Sequence, residues 1–323
     1  MVGMTRSSRF ARIGQWAIGF LVGAVALVAA LRDVQIVELG PRLARFDGVW
    51  LVLSVAGVML VALAKAARWQ WMFATPRPPY AMLFASMALG QTANMLIPLR
   101  LGEVLRALTL QRWYGVPAAL GLGTVVAEKL ADLTLFALFS LLLPIVIPLP
   151  DWLRSTSVWL VAAGALGSVL IVAVMTRPTW RATVLKRAPR RARSFVENAL
   201  AGSSVLWRSD TRRGLWLSTL GVWLVSLATP VALAVSAGQP LPLSGAITLL
   251  LALQVTFVIP TPPGLVGVVQ AVCVLVLSLY GYDATTAFAY GLILNAAMIL
   301  PLIVSGLAAW LLATRTQQSC LTP

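Results

Sequence analysis

From Gly214 to Tyr282 the chain runs 69 residues without a charged side chain. A hydrocarbon core about 30 Å thick is crossed by ~20 residues of α-helix, so a single helix cannot hold this stretch. Unpaired backbone groups are not tolerated in lipid, which leaves helices that turn back on one another. The breaks fall at Gly238-Gln-Pro-Leu-Pro242 and Pro260-Thr-Pro-Pro-Gly264, where proline removes backbone donors. Composition agrees: 59% of residues are hydrophobic, 11% are charged and the mean hydropathy is +0.89, against roughly 25% charged in soluble domains. The alternating ~10-residue segments of a membrane β-barrel are not visible.

Charge placement orders the rest of the chain. Arg6, Arg9 and Arg12 precede an uncharged run, Ile13–Leu31, which reads as a first helix with its amino terminus in the cytoplasm. Residues 32–47 balance Arg32, Arg42 and Arg45 against Asp33, Glu38 and Asp47 and suit an outside loop. Residues 48–64 return the chain to Lys65, Arg68 and Arg77, read as inside-facing basic residues. Tyr80–Leu99 follows, then a charged stretch, then a long segment from Pro117 to Pro150, and residues 155–176 cross back. The segment 177–213 carries ten basic residues against Glu197 and Asp210, the strongest orientation signal in the chain, so it is expected to be a cytoplasmic loop that also meets anionic headgroups. A last uncharged run, 284–314, ends at Arg315 and places both termini in the cytoplasm.

The same placement argues against other classes. A net charge of +15 suggests nucleic acid, but most of it flanks apolar segments, where it sets orientation. Histidine is absent, and Cys273 and Cys320 do not make a disulfide framework or a metal set. Phosphate-binding glycine loops and nucleophile elbows are also missing. No cofactor is expected.

Two parts of the chain resemble each other. ALGQTANMLIP (88–98) matches LALQVTFVIP (251–260), LGEVLRA (101–107) lies over LVGVVQA (265–271), and YGVPAALGLGTVVAEK (114–129) lies over YGYDATTAFAYGLILN (280–295). The first unit starts from the inside and the second from the outside, so halves 48–150 and 214–314 are expected to be inverted repeats, the arrangement that builds a midplane site from broken helices. The expected architecture is an all-α polytopic membrane protein in one integral domain, with six full spans plus two broken or re-entrant hairpins (80–112 and 244–280).

Charges inside such a protein are costly and point to function. Arg100, Glu103 and Arg106 follow Pro98 at spacings of three, and arginine forks suit phosphate or carboxylate. Glu128 and Asp132 share a helix face beside Lys129, about 16–20 Å along their helix at 1.5 Å per residue. Internal ion pairs that fasten the halves together are the competing reading of the same residues. PLRLGEVLRALTL (98–110), AEKLADL (127–133) and PTPPGLVGVVQA (260–271) resemble the flippase-like membrane-domain family typified by the membrane portion of bacterial lysylphosphatidylglycerol synthases, over roughly residues 10–315. The resemblance implies a substrate site at Pro98, Arg100, Glu103, Arg106, Glu128, Lys129, Asp132, Pro260, Pro262, Gly264, Gln270 and Asn295. The chain departs from the family pattern at Lys129, where arginine usually follows the glutamate, and at Pro263, which interrupts a Pro-Gly-Gly. Gln270 stands in place of a glutamate and Asn295 in place of an arginine.

The expected function is therefore a non-enzymatic lipid transporter or flippase of the bacterial inner membrane, handling an anionic phospholipid or polyprenyl phosphate. The alternatives are a membrane-embedded lipid-modifying transferase and a non-transporting scaffold whose partners are envelope-lipid synthesis proteins.

Overall fold

The computed structural model describes residues 6–74, 76–96, 101–146, 177–187, 192–206, 208–256 and 261–319, with single positions between 151 and 189. Among these, all regular structure is helical. The helices are α1 (Arg6–Leu31), α2 (Ile36–Ala44), α3 (Gly48–Trp71), α4 (Tyr80–Leu96), α5 (Gly102–Tyr114), α6 (Ala118–Val146), α7 (Pro178–Arg187), α8 (Arg193–Ser203), α9 (Ser209–Ser226), α10 (Ala228–Ser236), α11 (Leu243–Thr256), α12 (Val268–Leu277) and α13 (Ala284–Ser319). Among the described residues, four stretches are long and apolar enough to cross a membrane: Gly48–Trp71, Ser209–Ser236, Pro263–Tyr280 and Ala284–Leu311. The pair Ala17–Leu31 and Ile36–Ala44, bent by 86°, makes up to five. At 29 residues α6 is as long, but it carries Glu128, Lys129 and Asp132 in its middle. Most of the expected crossing at 155–176 lies outside the described residues.

Contacts divide the chain into two compact units of interleaved segments. One comprises residues 60–91, 102–225 and 304–323. Its core gathers Ala66 and Trp69 of α3, Phe73 just past its end, Leu83 and Met87 of α4, Leu110 of α5 and Ala127 and Ala131 of α6. Within α3, α4 and α6 these recur at spacings of three or four, so each of those helices presents one apolar stripe.

Within this unit the basic segment is more than a loop, because α8 packs along α6. A Cβ placed on Gly202 would sit 2.2 Å from the Leu120 carbonyl oxygen, and one on Gly123 would sit 2.1 Å from that of Ala199. Only hydrogen fits at either point, which is how small residues bring helix backbones together in membranes. Gly202→Leu is expected to cost about 1–3 kcal/mol by overpacking, read as a lower thermal midpoint in detergent; an unchanged midpoint would mean that α8 is loosely held.

The other unit comprises residues 1–59, 92–101 and 226–303. Here α1 lies across the broken segment that precedes α12. Gly19 faces the Thr261 carbonyl, Gly23 faces the Pro262 ring, and a Cβ on Gly267 would meet the Gly23 carbonyl oxygen at 2.3 Å. Gly267 also has φ +83°, so glycine is needed there for both backbone shape and approach. The pair Gly19 and Gly23 forms a GxxxG spacing, the small-residue face that such contacts use.

Proline explains one further break. Pro230 clashes with the carbonyl four residues earlier, that of Ser226, and α9 ends there before α10 begins at Ala228. The expected outside loop 32–47 holds the helix α2, supported by the Glu38–Arg42 pair at 3.1 Å with the i, i+4 spacing that stabilises a helix.

Asp283 caps α13, its Oδ1 accepting from the Thr286 N–H at 3.0 Å. Burial alone would raise the carboxyl above its ordinary value, but the bonds from Thr286 and the nearby Arg42 outweigh it and hold it below. A folded-state value below the unfolded one adds stability that is complete above the unfolded value, ~3.9, and disappears as pH falls through the folded one. Asp283→Ala is accordingly expected to lower stability by ~1 kcal/mol at neutral pH, and the difference from wild type should vanish in strong acid.

Candidate functional site

The charges of the first unit converge on one residue, Arg68. Its Nη1 donates to Asp132 Oδ1 at 2.6 Å, and its Nη2 donates to Glu128 Oε1 at 2.8 Å and to Asp132 Oδ2 at 3.2 Å. The residue is 1% exposed. Glu128 then bridges to a second guanidinium, its Oε2 accepting from Arg106 Nη2 at 2.6 Å. Helices α3, α5 and α6 are thus joined through a buried Arg68–Glu128–Arg106 chain, with Asp132 on its flank. Taking such ions out of water costs several kcal/mol each, and only close, well-hydrogen-bonded pairing offsets it.

Neighbouring groups fix the geometry. The Arg106 guanidinium lies 4.9 Å from the Trp69 ring centroid, a favourable cation–π arrangement. The Trp69 indole N–H donates to Thr124 Oγ1 at 2.9 Å. Trp223 Nε1 donates to Asp132 Oδ1 at 3.3 Å, and its ring stacks on Phe139 with centroids 5.4 Å apart. Arg68 Nε and Arg106 Nε are buried without a hydrogen-bond partner among the described residues.

The edge of the cluster is different. Lys129 Nζ stands 3.7 Å from Glu103 Oε1, and the Lys129 side chain is 60% exposed. A long pair with one exposed partner is worth ~0–1 kcal/mol, so the Lys129 ammonium is open to another anion. Lys65, one turn before Arg68, lies in the field of Asp132, Glu128 and Lys129. By residue type the cluster gathers Lys65, Arg68, Arg106 and Lys129 beside Glu103, Glu128 and Asp132.

Five residues expected at the site, Glu103, Arg106, Glu128, Lys129 and Asp132, come together here. Arg68 is the residue that the sequence reading placed elsewhere, as an orientation signal at a helix end. Its signal is the uncharged and, Gln70 apart, apolar stretch 69–74 beyond it, which lets the helix run past it, and Arg68 sits in the last turn of α3. Pro98, Arg100 and Pro260 lie outside the described residues.

The remaining expected residues belong to the second unit. Pro262 accepts a turn bond from the Leu265 N–H at 3.0 Å, and Gly264 takes φ +67°. Gln270 is buried and its Oε1 accepts from the Gly267 N–H at 2.7 Å, capping α12. Asn295 is buried on α13, with its Oδ1 unpartnered among the described residues. No ion pair joins these four among the described residues.

The sequence model of the lysylphosphatidylglycerol synthase TM region matches residues 16–306. The chain belongs to this family. Comparison with curated proteins and with solved structures gives no match. The family match encloses both the Arg68 cluster and the Pro262–Asn295 segment, and it agrees with the membrane-spanning helices described above.

Proposed function

We propose that this family member binds the anionic headgroup of a membrane lipid, a phospholipid or polyprenyl phosphate, and carries it across the bacterial inner membrane without catalysing a reaction. The observation that carries this reading is the unequal strength of the cluster's ion pairs. The Arg68–Glu128–Arg106 chain is tight and buried, whereas Lys129–Glu103 is long and exposed. A phosphate arriving at Lys129 displaces a weak partner, and the exposed ammonium offers it a charge-assisted bond. Arg100, three residues before Glu103 in the sequence, supplies a further cation in the same stretch of the chain.

A repeated order of elements supports a two-fold plan. The series α4, break, α5, turn, α6 matches α11, break, α12, turn, α13, with Gly115 (φ +75°) and Gly281 (φ +82°) at corresponding turns. With both termini in the cytoplasm, as the basic segment 177–213 favours, the two series run inverted, and six spans flank two broken hairpins.

The test is transfer of fluorescent phosphatidylglycerol in proteoliposomes, read by its reduction with external dithionite. Transfer above that of empty vesicles, lost in Lys129→Glu, is the expected result; rates equal to empty vesicles contradict it. A scaffold reading has one observation in its favour, the pairing of Arg68 and Arg106 with carboxylates. It requires Lys129→Glu to leave every lipid measurement unchanged.

A further inference from the structure

The nine-residue helix α2 has no buried residue. Isolated helices this short are marginal in water, so its apolar surface needs a partner. Ile36 is 70% exposed and Val37 92%, Pro41 and Ala44 are exposed, and a Cβ on Gly40 would meet nothing within 4 Å. At ~100° per residue these five positions share one arc of about 140°. Glu38 and Arg42 occupy the next arc, and the half-buried Leu39 and Leu43 the third.

The helix is held in a fixed place within its unit. Arg42 Nη1 donates to Asp283 Oδ2 at 3.3 Å and to Thr286 Oγ1 at 3.1 Å, at the start of α13, and the Gln35 N–H donates to Thr285 Oγ1 at 3.0 Å. The axis of α2 stands at 86° to the apolar part of α1. If α1 crosses the bilayer, α2 lies along the membrane plane. The exposed apolar side of α1, at Leu21, Val25 and Val28, leads up to this corner. Exposed arginines, Arg32 and Arg45, stand just outside its two ends, and the partly exposed Trp50 opens α3 just beyond, as tryptophan does at membrane interfaces.

We infer that α2 is an interfacial anchor that rests in the headgroup–acyl boundary of the bilayer. Ile36 and Val37 dip into the acyl region, and Arg32 and Arg45 meet lipid phosphates. The observation behind it is the open apolar arc on a pinned helix perpendicular to the apolar part of α1, and it does not depend on what the charged cluster binds.

The test uses the full-length chain in a Cys320→Ser background, in which Cys273 is buried. Val37→Cys, Ile36→Cys and Glu38→Cys carry an environment-sensitive fluorophore in phosphatidylcholine–phosphatidylglycerol vesicles. At positions 36 and 37, doxyl-labelled lipid should quench several-fold more strongly than aqueous iodide, with the order reversed at 38. Equal iodide quenching at all three positions would place the helix in water and overturn the inference. Disulfide cross-linking of Val37→Cys between two copies would overturn it as well, by showing that a second chain covers the arc. Ile36→Cys gives an independent reading of the same face should one variant fail to fold.

Discussion

Replacing Arg68 by methionine is expected to destabilise the protein by about 3–5 kcal/mol, the usual cost of leaving a buried charge without its partner. Glu128 would keep Arg106, but among the described residues Asp132 would retain the Trp223 N–H as its one hydrogen bond. This gives the prediction an internal control. Adding Asp132→Asn removes the orphaned charge, leaves Arg106–Glu128 intact and should recover much of the loss. Adding Glu128→Gln instead leaves Asp132 charged and strips Arg106 of its partner, so it should deepen the defect. Thermal midpoints in detergent read all three. A midpoint for Arg68→Met equal to that of wild type would mean that the cluster does not hold α3, α5 and α6 together.

Lys129→Ala should do the opposite: fold normally and bind poorly. Its side chain is exposed and its carboxylate contact is long, so little stability depends on it. A charge-assisted bond to a lipid phosphate is worth ~1.5–3 kcal/mol, and each 1.4 kcal/mol is tenfold in affinity. Phosphatidylglycerol binding in nanodiscs should therefore weaken about tenfold or more, while phosphatidylcholine binding stays as it was. Equal weakening for both lipids would point to a packing effect and not to headgroup charge.

The contrast between these residues shows what was legible in the sequence. Glu128 and Asp132 announced themselves, because acids four residues apart in apolar sequence have few other uses. Arg106 did so through its spacing of three from Glu103 in the apolar sequence after Pro98. Arg68 did not, because a basic residue near the end of an apolar run satisfies the orientation rule equally well. What separates the two cases is whether the helix continues past the arginine, and α3 runs on to Trp71. The helix α2 was hidden in a similar way: balanced charges with Gly40 and Pro41 read as a loop, yet Glu38 and Arg42 sit at the spacing that supports a helix. The packing of α8 on α6 rests on the tertiary meeting of Gly123 with Gly202, which no local pattern encodes. Gln270 read as a binding residue, and it is also the cap of α12.

The most direct test of the proposed headgroup site is photocrosslinking with a phosphatidylglycerol whose headgroup carries a diazirine, followed by peptide mass mapping. Adducts should concentrate around Glu103 and Lys129 and fall away in Lys129→Ala. Adducts confined to the basic segment 177–213, and unchanged by Lys129→Ala, would contradict the account.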